Sequence, residues 1–267
     1  MSCFGTITFC EQPENAKKIG VRLTPLNYKE GQGYQVTIEK NIKSITADEW
    51  NTIEEILISH NILHIAKPKN LLMLPFKTIE IYNGDKVRGL LGATLLKYIT
   101  KHKLVRGNPI YSKIGIIDGM INLTLDTILP LAEDATDITL FTKTPEAYRD
   151  ITQQVYEEAK LYIKLVPPNK KMISEMDVIY DLFGEGDYLY FARPGVVYTF
   201  VKTPKEQFAH EGAIVWYDFD VRWERQEITA EIMEALLMSE GYTKGMLRKT
   251  INQFDIQINN VYNRLNC

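Results

Sequence analysis

Residues 113–122 read KIGIIDGMIN, and this stretch decides the fold. Ile114, Ile116 and Ile117 form the short apolar run of a strand buried on both faces. The pattern then changes to helical spacing, with Leu125, Ile128 and Leu129 on one face of a helix over 121–132 that Pro130 is expected to kink or shorten. A second strand, DITLFT at 137–142, precedes a helix with Tyr148, Ile151, Val155 and Ala159 on its inner stripe. Thr144 is placed to cap that helix, with Pro145 at its first position. Further strands are read at 161–165, 177–182, 188–192 and 213–219. Parallel strands need crossover connections, and helices between successive strands supply them. The pattern therefore predicts an α/β fold with a parallel sheet and helices on both faces.

Upstream, residues 1–103 read as a smaller N-terminal α/β domain. Strand patterns occur at 6–10, 19–24, 34–39, 62–66 and 78–82. Thr46-Ala47-Asp48-Glu49 is a capping box opening a helix to about His60, with Trp50, Ile53, Ile56 and Leu57 on its apolar face. A helix over 85–102 follows. Gly89 and Gly92 weaken it by propensity, so another element is expected to approach closely there. Residues 103–112, with Arg106-Gly107-Asn108-Pro109, read as a linker to a domain at 111–222.

Residues 228–265 read as C-terminal helices packing back on the chain. Ile228, Ile232, Met233, Leu236 and Leu237 mark the first, ending near Gly241. Leu247, Ile251, Phe254, Ile258, Val261 and Leu265 then run at 4-3-4-3-4 spacing, which also allows a short coiled-coil seam for a homodimer.

Composition bounds the function classes. The chain has 267 residues, 45% hydrophobic and 24% charged, with a net charge of −3. That balance lacks the basic stripe of a nucleic-acid binder, so no nucleic-acid partner is expected. No apolar run approaches the roughly 20 residues of a membrane span, and no secretory signal pattern stands at the N-terminus. Cys3, Cys10 and Cys267 are few, odd in number and scattered, which reads as reduced thiols in a cytoplasmic protein.

The pattern over 111–240 resembles the shikimate dehydrogenase and glutamyl-tRNA reductase group of NAD(P)-dependent enzymes, where a smaller catalytic domain precedes a Rossmann domain. Thr142-Lys143-Thr144 ends the second strand, where that group often carries Asn-Arg-Thr. The resemblance implies that Lys143 would meet the 2′-phosphate of NADP, and that Gly184, closing SEMDVIYDLFG (174–184), would border the crevice beside the nicotinamide.

The departures from that pattern are physical. A dinucleotide site wants G-x-G-x-x-G after the first strand, so that backbone N–H groups can approach a diphosphate. Here Asp118-Gly119-Met120-Ile121 offers one glycine, two bulky side chains and a repelling carboxylate. The helix N-terminus can still attract an anion. The resemblance's catalytic lysine has no match in Gln35-Val36-Thr37-Ile38-Glu39 or in Leu74-Pro75-Phe76-Lys77, so no catalytic residue is assigned.

Other patterns fail on chemistry. GDKVRGLL (84–91) lacks the Lys-Ser/Thr ending of a phosphate loop, and no G-x-S-x-G elbow occurs. His60 and His64 are spaced for two metal ligands on a helix, but a helix end is expected between them and no third ligand is near; no metal site is predicted.

The sequence thus predicts a Rossmann-like protein related to NAD(P)-dependent dehydrogenases with an altered or lost dinucleotide site. Asp118, Gly119, Thr142, Lys143, Thr144 and Gly184 would line that site, and a small molecule or nucleotide, NADP among them, is the expected kind of ligand. A working NADP-dependent oxidoreductase and a dimeric structural or regulatory protein are the alternatives.

Overall fold

The computed structural model describes residues 2–10, 19–28, 31–69, 71, 73–105, 111–208, 210–223, 225–243, 246–247, 251 and 254–263. No helix among them is long and apolar enough to cross a membrane. The chain forms two compact units. One holds residues 1–84 and a returning segment, 229–250; the other holds 85–228 and 251–265.

In the first unit, β1 (Cys3–Phe9), β2 (Gly20–Tyr28) and β3 (Gly31–Glu39) are followed by α1 (Ala47–Ser59), β4 (Ile62–Ala66) and β5 (Glu80–Tyr82). The sheet order is β2-β3-β1-β4-β5, with β2 antiparallel to β3 and the other neighbours parallel. The capping box is formed. Glu49 N–H donates to Thr46 Oγ1 at 3.4 Å, and Thr46 N–H donates to Glu49 Oε2 at 2.9 Å. Ile53 and Leu57 of α1 bury against Val36, Ile38, Ile62 and Ile65 of the sheet. The buried Glu54 carboxylate accepts from the N–H groups of Lys77, Thr78 and Ile79, fixing the approach to β5.

The second unit begins with α2 (Asp85–Leu90) and α3 (Gly92–Lys101). It continues through β6 (Lys113–Ile117), α4 (Ile121–Asp134), β7 (Asp137–Phe141), a 3-10 turn (Pro145–Tyr148) and α5 (Arg149–Ala159). Then come β8 (Lys164–Val166), α6 (Lys170–Ile173), β9 (Val178–Asp181), β10 (Val197–Phe200), β11 (Ile214–Trp216), β12 (Asp218–Trp223) and β13 (Gln226–Thr229). The chain next forms α7 (Ala230–Ser239), within the first unit, and β14 (Ile256–Tyr262), within the second. The large sheet runs β11-β10-β9-β6-β7-β8, every neighbouring pair parallel. Counted from β6, that is the order 3-2-1-4-5-6 of a Rossmann domain.

Several expectations change. The units divide at Gly84–Asp85, whereas the sequence reading puts the division between 103 and 111. The expected helix over 85–102 is broken at Leu91 and packs on α4. A Cβ at Gly89 would lie 2.8 Å from Thr127 Oγ1, so the glycine is what permits the close approach. The linker motif at 106–109 lies outside the described residues. α4 runs through Pro130 to Asp134, two residues past the expected end at 132, so the proline does not shorten it.

The segment at 188–192 is no strand. Leu189–Phe191 is a 3-10 turn; its buried Leu189 and the following Ala192 pack in the sheet core, and the fifth strand is the fully buried β10. The run at 213–219 is divided between β11 and β12.

The second C-terminal helix is only partly as the 4-3-4 spacing placed it: Met246, Leu247 and Ile251 are helical, but the later part of the run is a strand. Ile256–Tyr262 pairs antiparallel with β12, Ile258 opposite Val221 and Val261 opposite Phe219, so these residues form no helical dimer seam. Phe254, Ile256 and Ile258 also alternate at period two, and pairing satisfies the backbone groups of β12. The first expected helix is present as α7, capped by Thr229, whose Oγ1 accepts from Ile232 N–H at 3.4 Å.

Candidate functional site

Ligands of open parallel sheets bind beyond the carboxyl ends of the strands, where the strand order reverses. Here that point lies between β6 and β9. The turn after β6 carries Asp118 and Gly119, and the ends of β7 and β9 carry Thr142–Thr144 and Asp181–Gly184. The fold therefore brings the sequence-predicted residues to one edge of one sheet.

Their local roles differ. Asp118 N–H donates to Phe141 O at 3.1 Å, continuing the β6–β7 ladder. A Cβ at Gly119 would lie 2.6 Å from Leu182 O, so glycine is required there by the backbone leaving β9. Thr142 is fully buried; its N–H donates to Val166 O, and its hydroxyl accepts from Thr144 N–H at 3.0 Å. Thr144 makes no side-chain cap, contrary to expectation, because Pro145–Tyr148 is a tight 3-10 turn. Lys143 is exposed. Gly184 has φ +78°, which only glycine adopts readily, and a Cβ there would lie 2.8 Å from Lys202 O.

The turn after β6 exposes two apolar side chains. Met120 is 68% exposed and Ile121 49% exposed, and Met120 gives α4 no side-chain cap. Sequence reading missed a further element, Tyr148. This residue is buried, and its hydroxyl donates to Gly119 O at 2.7 Å. Burial, and next the Asp118 carboxylate, push the phenol pKa up, so it stays a protonated donor. The bond ties the segment after β7 to the turn after β6. Adenosine normally lies between those two places.

Asp181 was also missed. Its carboxylate is 1% exposed at the end of β9. Oδ1 accepts from Phe183 and Gly184 N–H, each at 2.9 Å, and Oδ2 accepts from the Tyr198 hydroxyl at 2.7 Å. This anchors the Gly184–Asp187 turn. Burial raises the Asp181 pKa, opposed by the Gly184 N–H, the Tyr198 hydroxyl and neighbouring N–H groups.

Between the ordinary Asp value of about 3.9 and the raised folded value, the folded chain holds a proton that the unfolded chain has released. This contribution to stability is full below the ordinary value and is lost as pH rises through the folded value. In urea titrations across that window, wild type should lose stability with rising pH relative to Asp181→Asn. Parallel pH dependences for the two proteins would contradict this.

The two histidines share no helix face. His60 ends α1, with Nδ1 2.9 Å from Ile56 O, and His64 lies in β4. No group of three potential ligands among the described residues could hold a metal ion.

No protein-family model matches the chain, and a search of curated proteins finds no match. Among solved structures, quinate dehydrogenase from Corynebacterium glutamicum in complex with NAD aligns over 94% of this chain and 99% of its own, at 8% identity and TM-score 0.41. L-tryptophan dehydrogenase from Nostoc punctiforme aligns over 94% of this chain and 78% of its own, at 10% identity and TM-score 0.40. With Thermococcus litoralis Δ1-pyrroline-2-carboxylate reductase, in complex with NADH and L-proline, the match spans 49% of this chain and only 37% of the reductase, at 12% identity and TM-score 0.32. The Rossmann-like assignment rests on the strand order and register of this chain.

Proposed function

We propose that the second unit is a Rossmann-type ligand-binding domain whose dinucleotide site is altered, so that it takes a smaller, less charged ligand in place of NAD(P). The observation that carries this reading is the turn Asp118–Ile121. A diphosphate needs bare backbone N–H groups there; this turn presents two exposed apolar side chains and an adjacent carboxylate. The Tyr148–Gly119 bond supports it by bridging the two strand ends that adenosine would separate. A small molecule with an apolar edge toward Met120 and Ile121 and an acceptor toward the start of α4 suits the same surface. Titration of the protein with NADPH, followed by nicotinamide fluorescence, tests the reading: no saturation is expected at millimolar cofactor.

A second reading, a working NADP-dependent oxidoreductase, is favoured by one feature, the exposed Lys143 at the end of β7. If NADPH saturates the protein, Lys143→Ala should weaken NADPH about tenfold, the worth of one charge-assisted hydrogen bond, and leave NADH unchanged. Equal effects on the two cofactors would remove Lys143 from the 2′-phosphate.

A further inference from the structure

We propose that the first unit carries an acid–base site of its own, in which His64 Nε2 takes the hydroxyl proton of a small neutral or cationic molecule and Tyr82 and Glu80 position the imidazole. β4 and β5 are parallel, with His64 opposite Glu80 and Ala66 opposite Tyr82. Glu80 and Tyr82 are two residues apart and so share a face of β5. The Tyr82 hydroxyl donates to Glu80 Oε2. With its proton committed there, the phenol oxygen accepts from His64 Nδ1 at 3.1 Å. The rings stack, with centroids 5.8 Å apart and planes inclined by 29°.

This geometry fixes the tautomer. The imidazole proton sits on Nδ1, and the Nε2 lone pair has no partner among the described residues. Burial lowers the His64 pKa, opposed by the Glu80 carboxylate, so the ring is a neutral base at pH 7. The charged and titratable groups facing the relay are Glu80 and Tyr82 of β5 and Glu234 of α7, which bears on Tyr82. Phe4 of β1, opposite His64 on its other side, carries no charge, and Glu54 of α1 is occupied by the N–H groups at 77–79. Among the described residues, the charges that bear on the relay are the carboxylates of Glu80 and Glu234, which favours a neutral or cationic substrate over an anion.

The proton step balances. A substrate hydroxyl gives its proton to Nε2; the Nδ1 proton passes to the Tyr82 oxygen as the Tyr82 proton passes to Glu80. The products are a substrate alkoxide, a neutral imidazole in its other tautomer, an intact phenol and a protonated Glu80. The Glu80 side chain is 64% exposed, so it releases that proton to water.

p-Nitrophenyl acetate tests the base without knowledge of the substrate. His64 Nε2 would take a proton from the water that attacks the ester carbonyl, p-nitrophenolate would leave, and acetate would be the other product. Wild type is expected to exceed His64→Gln by at least about tenfold, a conservative value for a positioned base. Glu80→Gln alters an exposed side chain and should keep the fold. Because the carboxylate raises the His64 pKa, its loss should move the pH midpoint of hydrolysis downward, which a merely structural tie between strands would not do. Equal rates for wild type and His64→Gln, or an unmoved midpoint in Glu80→Gln, would overturn the proposal. If His64→Gln does not fold, acylation of wild type by diethyl pyrocarbonate, mapped by peptide mass, decides it. His64 should be modified; protection of His64 while the exposed His60 reacts would overturn it.

Discussion

Arg88→Met is expected to destabilise the second unit by about 3–5 kcal/mol, the range for breaking a buried ion pair from one side. Arg88 is 1% exposed. Its guanidinium donates to Asp85 Oδ1 at 2.9 Å, to Asp218 Oδ1 at 3.2 Å and to the Val201 carbonyl at 2.8 Å. One side chain thereby holds together α2, the end of β10 and the start of β12. Asp85 and Asp218 are 5% and 8% exposed, so methionine would leave two carboxylates buried without their cation. Desolvation, more than lost attraction, sets the size of the effect. Adding Asp85→Asn to Arg88→Met should therefore recover part of the loss. Urea unfolding followed by tryptophan fluorescence measures both, and a loss below about 1 kcal/mol, the range of an exposed pair, would contradict the buried network.

Gly184→Ala should cost about 3 kcal/mol, from two independent penalties. Its φ of +78° charges an L-residue roughly 1–2 kcal/mol, and a Cβ 2.8 Å from the Lys202 carbonyl adds an overpacking cost of about 1–3 kcal/mol. The opposing atom belongs to the backbone and cannot swing aside. Gly119→Ala meets the same obstacle at Leu182 O, without the φ penalty, and should lose less. The comparison separates two meanings of a glycine at a sheet edge. Both residues fit close packing of neighbouring strand ends, whether or not a ligand binds, and thermal unfolding of the unliganded protein reads that directly. A neutral Gly184→Ala would mean that the turn relaxes and that packing is not its reason.

Much of the architecture is legible in the residues. β6 and β7 are apolar runs bounded by polar turns, and the helices between strands predict the parallel sheet. Thr46 and Glu49 announce α1 by chemistry local to four residues. Misreadings arise where two patterns compete. The aromatic run at 188–192 has strand propensity, yet Gly186 at φ +67° and Gly195 at φ +84° bracket it in turns. In the C-terminal segment, heptad-like spacing and period-two alternation share Phe254 and Ile258, and only the presence of β12 as a partner selects the strand.

The site follows the same division. Asp118, Gly119, Thr142–Thr144 and Gly184 could be placed at one edge because strand ends are local features. Tyr148, Asp181 and Arg88 could not be understood that way. Tyr148 acts on a residue 29 positions away, and Arg88 on residues 113 and 130 positions away. Those contacts depend on strand order, which no local pattern encodes. His64 was legible only as a failed metal pair; its neighbours Glu80 and Tyr82 acquire meaning from the β4–β5 register.

The proposed alteration of the turn after β6 is read most directly by the backbone amide spectrum of the ¹⁵N-labelled protein under millimolar NADPH. The amides of Gly119, Met120, Ile121, Asn122 and Leu123 are expected to stay in place. Saturable shifts at these amides would show a diphosphate seated on the start of α4 and would contradict the altered site.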